Sequence, residues 1–178
     1  TGHVLVVAGS TGRTGAARMA ARAALRGGAG LVTLAGPASL NAILCQASDE
    51  LMTLPLADDE GHVRFVADQI DAALAGRSSV VVGPGLGVHE GARAVVRHLV
   101  EAATVPLVID ADAVTCVACD LGMLASARRT PVLTPHPGEM ARLIGTDVPT
   151  VQRDRIATAR RCAAEHGCIL VLKGSRTI

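Results

Sequence analysis

The sequence predicts an α/β fold, a mostly parallel sheet with helices on both faces in three layers, and three observations carry that prediction. Short β-rich runs alternate with longer alanine-rich stretches along the chain, the order that generates parallel sheets with crossover helices. Several runs are almost uninterrupted Val, Ile and Leu, as in strands covered on both sides. The glycines, prolines and isolated polar residues gather just after those runs, at the sheet edge where open α/β folds hold their ligands.

Strands are expected at 4–8, 31–34, 51–54, 80–82, 107–109, 132–133 and 169–172. Helices are expected at 15–27, 38–47, 62–75, 89–103, 112–127, 138–144 and 150–166. Val63, Val66, Ile70 and Leu74 show the i, i+3, i+4 spacing of an amphipathic helix. The acidic stretch 57–61 reads as an exposed loop.

The first strand runs into Gly9-Ser10-Thr11-Gly12-Arg13-Thr14-Gly15. This is GxxGxxG, not the dinucleotide GxGxxG. The second strand ends in Ala35-Gly36-Pro37, with no acidic residue for a ribose. Arg13-Thr14 replaces the Lys-Ser/Thr of a phosphate loop. What remains is a backbone that a ligand can approach closely, with a helix N-terminus behind it; the alternative is a tight strand–helix turn.

Gly83-Pro84-Gly85-Leu86-Gly87 follows the fourth strand. Pro84 stiffens the turn, and glycines without Cβ leave room for a flat group. Asp110 and Asp112 end the fifth strand. They point into one cavity if the strand continues that far; otherwise Asp112 caps the next helix. His136 stands between Pro135 and Pro137, where Pro137 disfavours helix at the preceding residue. Gly138 and Glu139 open the helix, whose positive end suits Glu139 and favours a neutral imidazole able to donate and accept. Lys173, Gly174, Ser175, Arg176 and Thr177 follow the last strand. A lysine leaving a buried strand beside glycine and hydroxyls suits a phosphate, with a solvated turn as the alternative.

Composition narrows the function. A chain of 178 residues is enough for one domain with a real core, expected to span 1–178. Apolar residues make up 49%, yet Phe65 is the sole aromatic among Phe, Trp and Tyr, so Ala, Val, Leu and Gly must fill the core. A net charge of +1 gives no support for nucleic-acid or membrane binding. Five cysteines, an odd number, fit a reducing cytoplasm better than a disulfide scaffold. Cys116 and Cys119 have CxxC spacing, with Cys162, His166 and Cys168 further on, but no second pair follows. They read as small buried thiols on helices, and no metal ligand is assigned.

Taken together, the blocks resemble the ADP- or ATP-dependent NAD(P)H-hydrate dehydratases of the ribokinase-like superfamily. The matching text includes Gly15-Ala16-Ala17, Ala23-Ala24-Leu25-Arg26, Gly28-Ala29-Gly30-Leu31-Val32-Thr33 and Glu50-Leu51-Met52. It continues with Gly83-Pro84-Gly85-Leu86-Gly87, Asp110-Ala111-Asp112-Ala113, Leu133 through Met140, and Leu172-Lys173-Gly174 with Thr177. The resemblance implies a ribokinase-like fold and a cofactor-repair reaction. The hydroxyl on hydrated NADH or NADPH is phosphorylated by ADP or ATP with Mg2+, and phosphate is then eliminated. It implies that Ala16, Gly85 or Gly87, and His136 line the hydrated-cofactor site, which Asp110 also faces on the reading above. It implies that Lys173, Gly174, Ser175, Arg176 and Thr177 hold the nucleotide phosphates. The family's Gly-Ser-Gly-Asp block, with its aspartate base, does not occur in this sequence, so no catalytic base is named. The resemblance implies that the C-terminal part of the fold is missing and that this polypeptide alone binds but barely turns over. A homo-oligomer, a small-molecule kinase of the same superfamily and a non-catalytic nucleotide-binding module remain as alternatives of state and function.

Overall fold

The computed structural model describes residues 2–178. Its main sheet has seven strands in the order β3-β2-β1-β6-β7-β8-β9, every pairing parallel. In chain order these are β1 (His3–Val7), β2 (Leu31–Pro37), β3 (Met52–Leu56), β6 (Ser79–Val82), β7 (Leu107–Ile109), β8 (Val132–Leu133) and β9 (Ile169–Leu170). A separate antiparallel pair, β4 (Asp58–Asp59) and β5 (His62–Val63), projects after β3. The helices are α1 (Thr14–Arg26), α2 (Asn41–Leu44), α3 (Ala67–Leu74), α4 (Glu90–Ala102), α5 (Asp112–Ala118), α6 (Pro137–Leu143), α7 (Val148–Arg153) and α8 (Arg155–His166).

Strand β1 shows why the apolar runs are continuous. Leu5 and Val7 enter one buried cluster, and Val6 and Ala8 enter the other. Alternate side chains therefore serve opposite faces, and both are covered. One face carries α1 and α2. On α1 only Ala17 and Ala21 are buried, which lets the helix lie close to the sheet. The opposite face carries the larger cluster, where Val95, Val96 and Leu99 of α4, Val114 and Val117 of α5, and Met140 of α6 meet the strands. No helix among the described residues is long and apolar enough to cross a membrane.

Four expected helices change form. The stretch expected as helix over 62–75 begins only at Ala67. Glu60 and Gly61 both have positive φ, at 50° and 79°, and close a hairpin instead. Val63, read as helical, is a buried β5 residue. The stretch 38–47 breaks into short helical turns around α2. The stretch 112–127 ends as α-helix at Ala118 and resumes as a 3-10 segment at Leu121–Ser126. The stretch 150–166 divides at Asp154, whose carboxylate caps α8 by accepting from the Ala157 N–H at 2.9 Å. Asp147 caps α7 in the same way through Thr150. Strand β9 ends two residues before the expected Leu172, although Val171 and Lys173 still donate to Leu133 and Pro135.

Strand order puts β1 between β2 and β6, so the chain leaves β1 toward one side and returns on the other. The crevice of an open α/β sheet lies outside the strand ends at such a switch point. Both glycine loops flank it.

Candidate functional site

The loop at 9–15 and the loop at 83–87 are stitched together across the switch point. Gly9 N–H donates to Pro84 O at 3.0 Å, Gly83 N–H donates to Val7 O at 3.0 Å, and the buried Ser10 hydroxyl donates to Gly85 O at 2.8 Å. The protein's own backbone explains two of the glycines. A Cβ on Gly83 would sit 1.9 Å from Asp110 O, and one on Gly85 would sit 2.8 Å from Arg13 O and 3.1 Å from the Ala16 Cβ. Gly12 and Gly15, by contrast, have nothing within 4 Å of a built Cβ and open onto the rim.

The two aspartates do not share a cavity. Strand β7 stops at Ile109, and Ala111 adopts φ 51°, ψ −121°, a conformation unusual for a residue with a Cβ. That turn sends the carboxylates apart. Asp112 does not cap its own helix; its Oδ2 accepts from Gly87 N–H at 2.8 Å and from Arg13 at 3.2 Å. It thus joins the two glycine loops to β7. Asp110 turns the other way and accepts at Oδ1 from Lys173 Nζ and from the Thr134 hydroxyl, both at 2.6 Å.

Lys173 is the chain's one lysine, and its ammonium also lies 3.7 Å from Glu139 Oε2. Glu139 is buried at the start of α6, where its carboxylate accepts from His136 N–H at 2.8 Å. In return His136 Nδ1 accepts from the N–H groups of Gly138 and Glu139, at 3.0 and 3.2 Å. The expected imidazole able to donate and accept is therefore corrected in one respect. Its accepting nitrogen is used internally, so in the neutral ring the hydrogen is on Nε2, which lies 3.4 Å from Glu139 Oε1. The side chain is 55% exposed and lies on the rim.

Burial by itself would raise the Asp110 pKa. The hydrogen bonds from Lys173 and Thr134, with the lysine's charge, outweigh it and hold the carboxyl below its ordinary range. The Lys173 Nζ stands between the Asp110 and Glu139 carboxyl groups.

Two groups of residues result, on neighbouring strand ends of one rim. Ala16, Gly85 and Gly87 meet around Arg13 and Asp112. Asp110 and His136 meet around Thr134, Glu139 and Lys173. Gly174, Ser175, Arg176 and Thr177 form an exposed turn beyond Lys173, with Thr177 Oγ1 donating to Gly174 O. Sequence reasoning did not single out Thr134 or Arg155. Arg155 donates to the carbonyls of Leu172, Lys173 and Ser175 and so shapes that turn from α8. Its only sequence signal is its place one residue after a helix-capping aspartate. The CxxC pair does not converge: Cys116 is buried and Cys119 exposed, and no group of three or more His, Cys, Asp or Glu among the described residues is arranged to hold a metal ion.

A doubly wound sheet with paired glycine loops at its switch point and an Asp110–Lys173 contact beside them defines an open α/β protein with its crevice at the strand ends. The fold is shared with a ribokinase-like superfamily protein from Enterococcus faecalis, at 22% identity and a TM-score of 0.78. The profile of the NAD(P)H-hydrate dehydratase family matches residues 4–178, and the chain belongs to that family. A bifunctional NAD(P)H-hydrate repair enzyme of Moorella thermoacetica is 42% identical over 99% of this chain and 34% of its own length. An ADP-dependent (S)-NAD(P)H-hydrate dehydratase of Neisseria meningitidis is 38% identical over 99% of this chain and 57% of its own length. The ADP/ATP-dependent NAD(P)H-hydrate dehydratase of Bacillus subtilis, co-crystallised with ATP and Mg2+, superposes with a TM-score of 0.75 at 27% identity over 99% of this chain and 60% of that one. The chain thus spans about a third of the length of the bifunctional relatives it matches.

Proposed function

We propose that the chain takes part in the nucleotide-dependent dehydration of hydrated NADH or NADPH, a cytoplasmic cofactor-repair reaction. The observation that carries this reading is the convergence of Ala16, Gly85, Gly87, Asp110, His136 and Lys173 on one rim, in a chain of this family. Hydrated nicotinamide is a partly saturated ring with a carboxamide and a hydroxyl. His136 Nε2–H would orient it through an oxygen that takes the place of the long 3.4 Å contact with Glu139 Oε1, and the glycine loops would let it approach the backbone. Lys173, Gly174, Ser175, Arg176 and Thr177 would hold the phosphates of ADP or ATP, with Arg155 fixing the turn from behind.

The residues present fit a cation that arrives with the nucleotide. No protein cage of three ligands exists among the described residues, but the Asp110–Glu139–Lys173 cluster carries a net negative charge. Mg2+ bound with the nucleotide would supply charge neutralisation on phosphate oxygens. Lys173 would exchange part of its contact with Asp110 for phosphate oxygen, keeping a charge-assisted bond either way. Binding and orientation are assigned to these residues, and no catalytic base is among them.

The assay supplies hydrated NADH or NADPH, ADP or ATP, and Mg2+. It follows recovery of the dihydronicotinamide absorbance together with phosphate release. Turnover by this polypeptide is expected to be barely detectable for want of a base, with the two in equal amounts; in calorimetry His136→Ala should weaken hydrated NADH and Lys173→Met should weaken ADP or ATP, each about tenfold, the scale of losing an oriented or charged contact. Phosphorylated product that accumulates without phosphate release would point instead to a small-molecule kinase.

A further inference from the structure

The β4–β5 hairpin and the start of α4 frame a cavity of about 450 Å3, open to solvent, that no part of the proposed reaction uses. Its walls include His62, Phe65 and His89, with Asp59, Arg64 and Glu90 around them. Rings are scarce in this chain: one phenylalanine, six histidines, no tryptophan or tyrosine. Three of them gather at this one place, and the His62 and His89 rings meet edge to face at 5.2 Å between centroids. A ring-walled space of this size suits a flat heterocycle.

Two observations narrow the ligand. The cavity holds carboxylates. Glu90 forms no ion pair among the described residues, and Asp59 reaches Arg64 only at 4.0 Å. Carboxylates repel a phosphate and accept from an exocyclic amino group. The second observation lies at the junction with the rim. His89 Nδ1 accepts from Ala92 N–H at 3.3 Å, so the hydrogen of the neutral ring is on Nε2. That Nε2 is buried without a partner, a condition that costs free energy until an acceptor arrives. It lies 3.6 Å from where a Gly87 Cβ would be, and the Arg13 guanidinium, 55% exposed, lies 3.8 Å from the same point. Burial and the His62 ring hold the His89 pKa below the usual histidine value, in keeping with the neutral donor form. His89 is therefore the wall between the cavity and the Gly87 slot.

The hairpin is firmly placed. Thr11 N–H donates to Gly61 O at 2.9 Å, the Thr11 hydroxyl donates to Glu60 O at 2.8 Å, and Gly91 lets α4 approach Val63 so closely that a Cβ there would lie 2.3 Å from Val63 O. The cavity is thus fixed relative to the glycine loop.

We propose that this cavity binds the aminopurine end of a dinucleotide, with the base against the face made by the His62, Phe65 and His89 rings, its amino group on Glu90 or Asp59, and the linking phosphate oxygens on Arg13 and His89 Nε2 at Gly87. Assigning that base to the hydrated cofactor rests on the function proposed above; binding of an adenine nucleotide here does not.

The test uses the protein labelled with 13C in phenylalanine, whose single residue reports on the cavity by NMR. The probes are AMP, IMP and ribose 5-phosphate. AMP is expected to shift the Phe65 ring signals, IMP to bind about tenfold more weakly for want of the amino group, and ribose 5-phosphate to leave Phe65 unmoved. His89→Asn keeps a good helix cap but shortens the donor, and should weaken AMP about tenfold. The exposed Glu90→Gln should erase the preference for AMP over IMP. The proposal is overturned if AMP leaves Phe65 unmoved, if ribose 5-phosphate moves it equally, if IMP binds as tightly as AMP, or if both variants behave as wild type. Binding of hydrated NADH is measured separately by calorimetry. Binding with a silent Phe65 sinks the cavity alone, and a Phe65 that responds to AMP in a protein that does not bind hydrated NADH sinks the function alone.

Discussion

Gly83→Ala is the sharpest test of how the rim is assembled. The new Cβ would stand 1.9 Å from Asp110 O, 2.6 Å from Ala113 Cβ and 2.8 Å from Ala113 N. Two of these are backbone atoms, so no side chain can rotate away. The backbone φ of 121° is also one that residues with a Cβ rarely adopt. Overpacking costs about 1–3 kcal/mol and the strained conformation about as much again, so a loss of roughly 3–5 kcal/mol is expected. With a urea slope of about 2 kcal/mol per molar, the unfolding midpoint should fall by about 2 M. Relief of the clash moves the turn that carries Asp110, so the Asp110–Lys173 contact should weaken too, visible in the signals of the single lysine. Gly15→Ala is the matched control. It has nothing within 4 Å and no positive φ, and it stands in the first turn of α1. It should be neutral or stabilise by up to about 1 kcal/mol. Equal midpoints for Gly83→Ala and wild type would refute the claim that Gly83 is required by the approach of β7's loop.

Asp110 has a depressed pKa in the folded protein, so its contribution is fully present above its unfolded value near about pH 4 and is lost as pH falls through the lower folded value. Urea midpoints of wild type and Asp110→Asn should therefore differ at neutral pH and converge in strong acid; a pH-independent difference would contradict the ion pair. Ala111→Gly removes the strain of a Cβ at φ 51°, worth about 1–3 kcal/mol, against roughly 0.4–1 kcal/mol of added unfolded-state entropy. A net gain of about 1 kcal/mol should appear in the same denaturation, and a loss would mean that the turn is relaxed. Arg155→Lys replaces a fork that reaches several carbonyls by a single point donor. The nucleotide Kd should rise about fivefold to tenfold, as calorimetry would show, and an unchanged Kd would refute the role of Arg155 in shaping the turn.

The architecture was legible because its signals are local and repeated. Uninterrupted runs such as Val80-Val81-Val82 can be satisfied only between two covered faces, and each is followed by its loop residues on the same edge. Misread elements share one cause. Val63 and Val66 have helical spacing, but the turn at Glu60 and Gly61 diverts the chain before that spacing can act. Residues 150–166 carry continuous helical composition, and the break at Asp154 comes from a side chain competing for the backbone.

The site divides in the same way. His136 between prolines and Lys173 after a buried strand mark themselves by where they stand in the chain, because a strand end and a proline constrain their neighbours directly. That Asp110 pairs with a residue 63 positions away, that Asp112 latches Gly87, and that a positive φ at Ala111 separates the two carboxylates were decided only in the folded molecule. Apolar periodicity is a property of neighbours along the chain, so the sequence by itself determined the layers and the edge on which function gathers. Pairing across the rim depends on strand order and on a few backbone angles, and these take their values only when the sheet has closed and every loop competes for the same space.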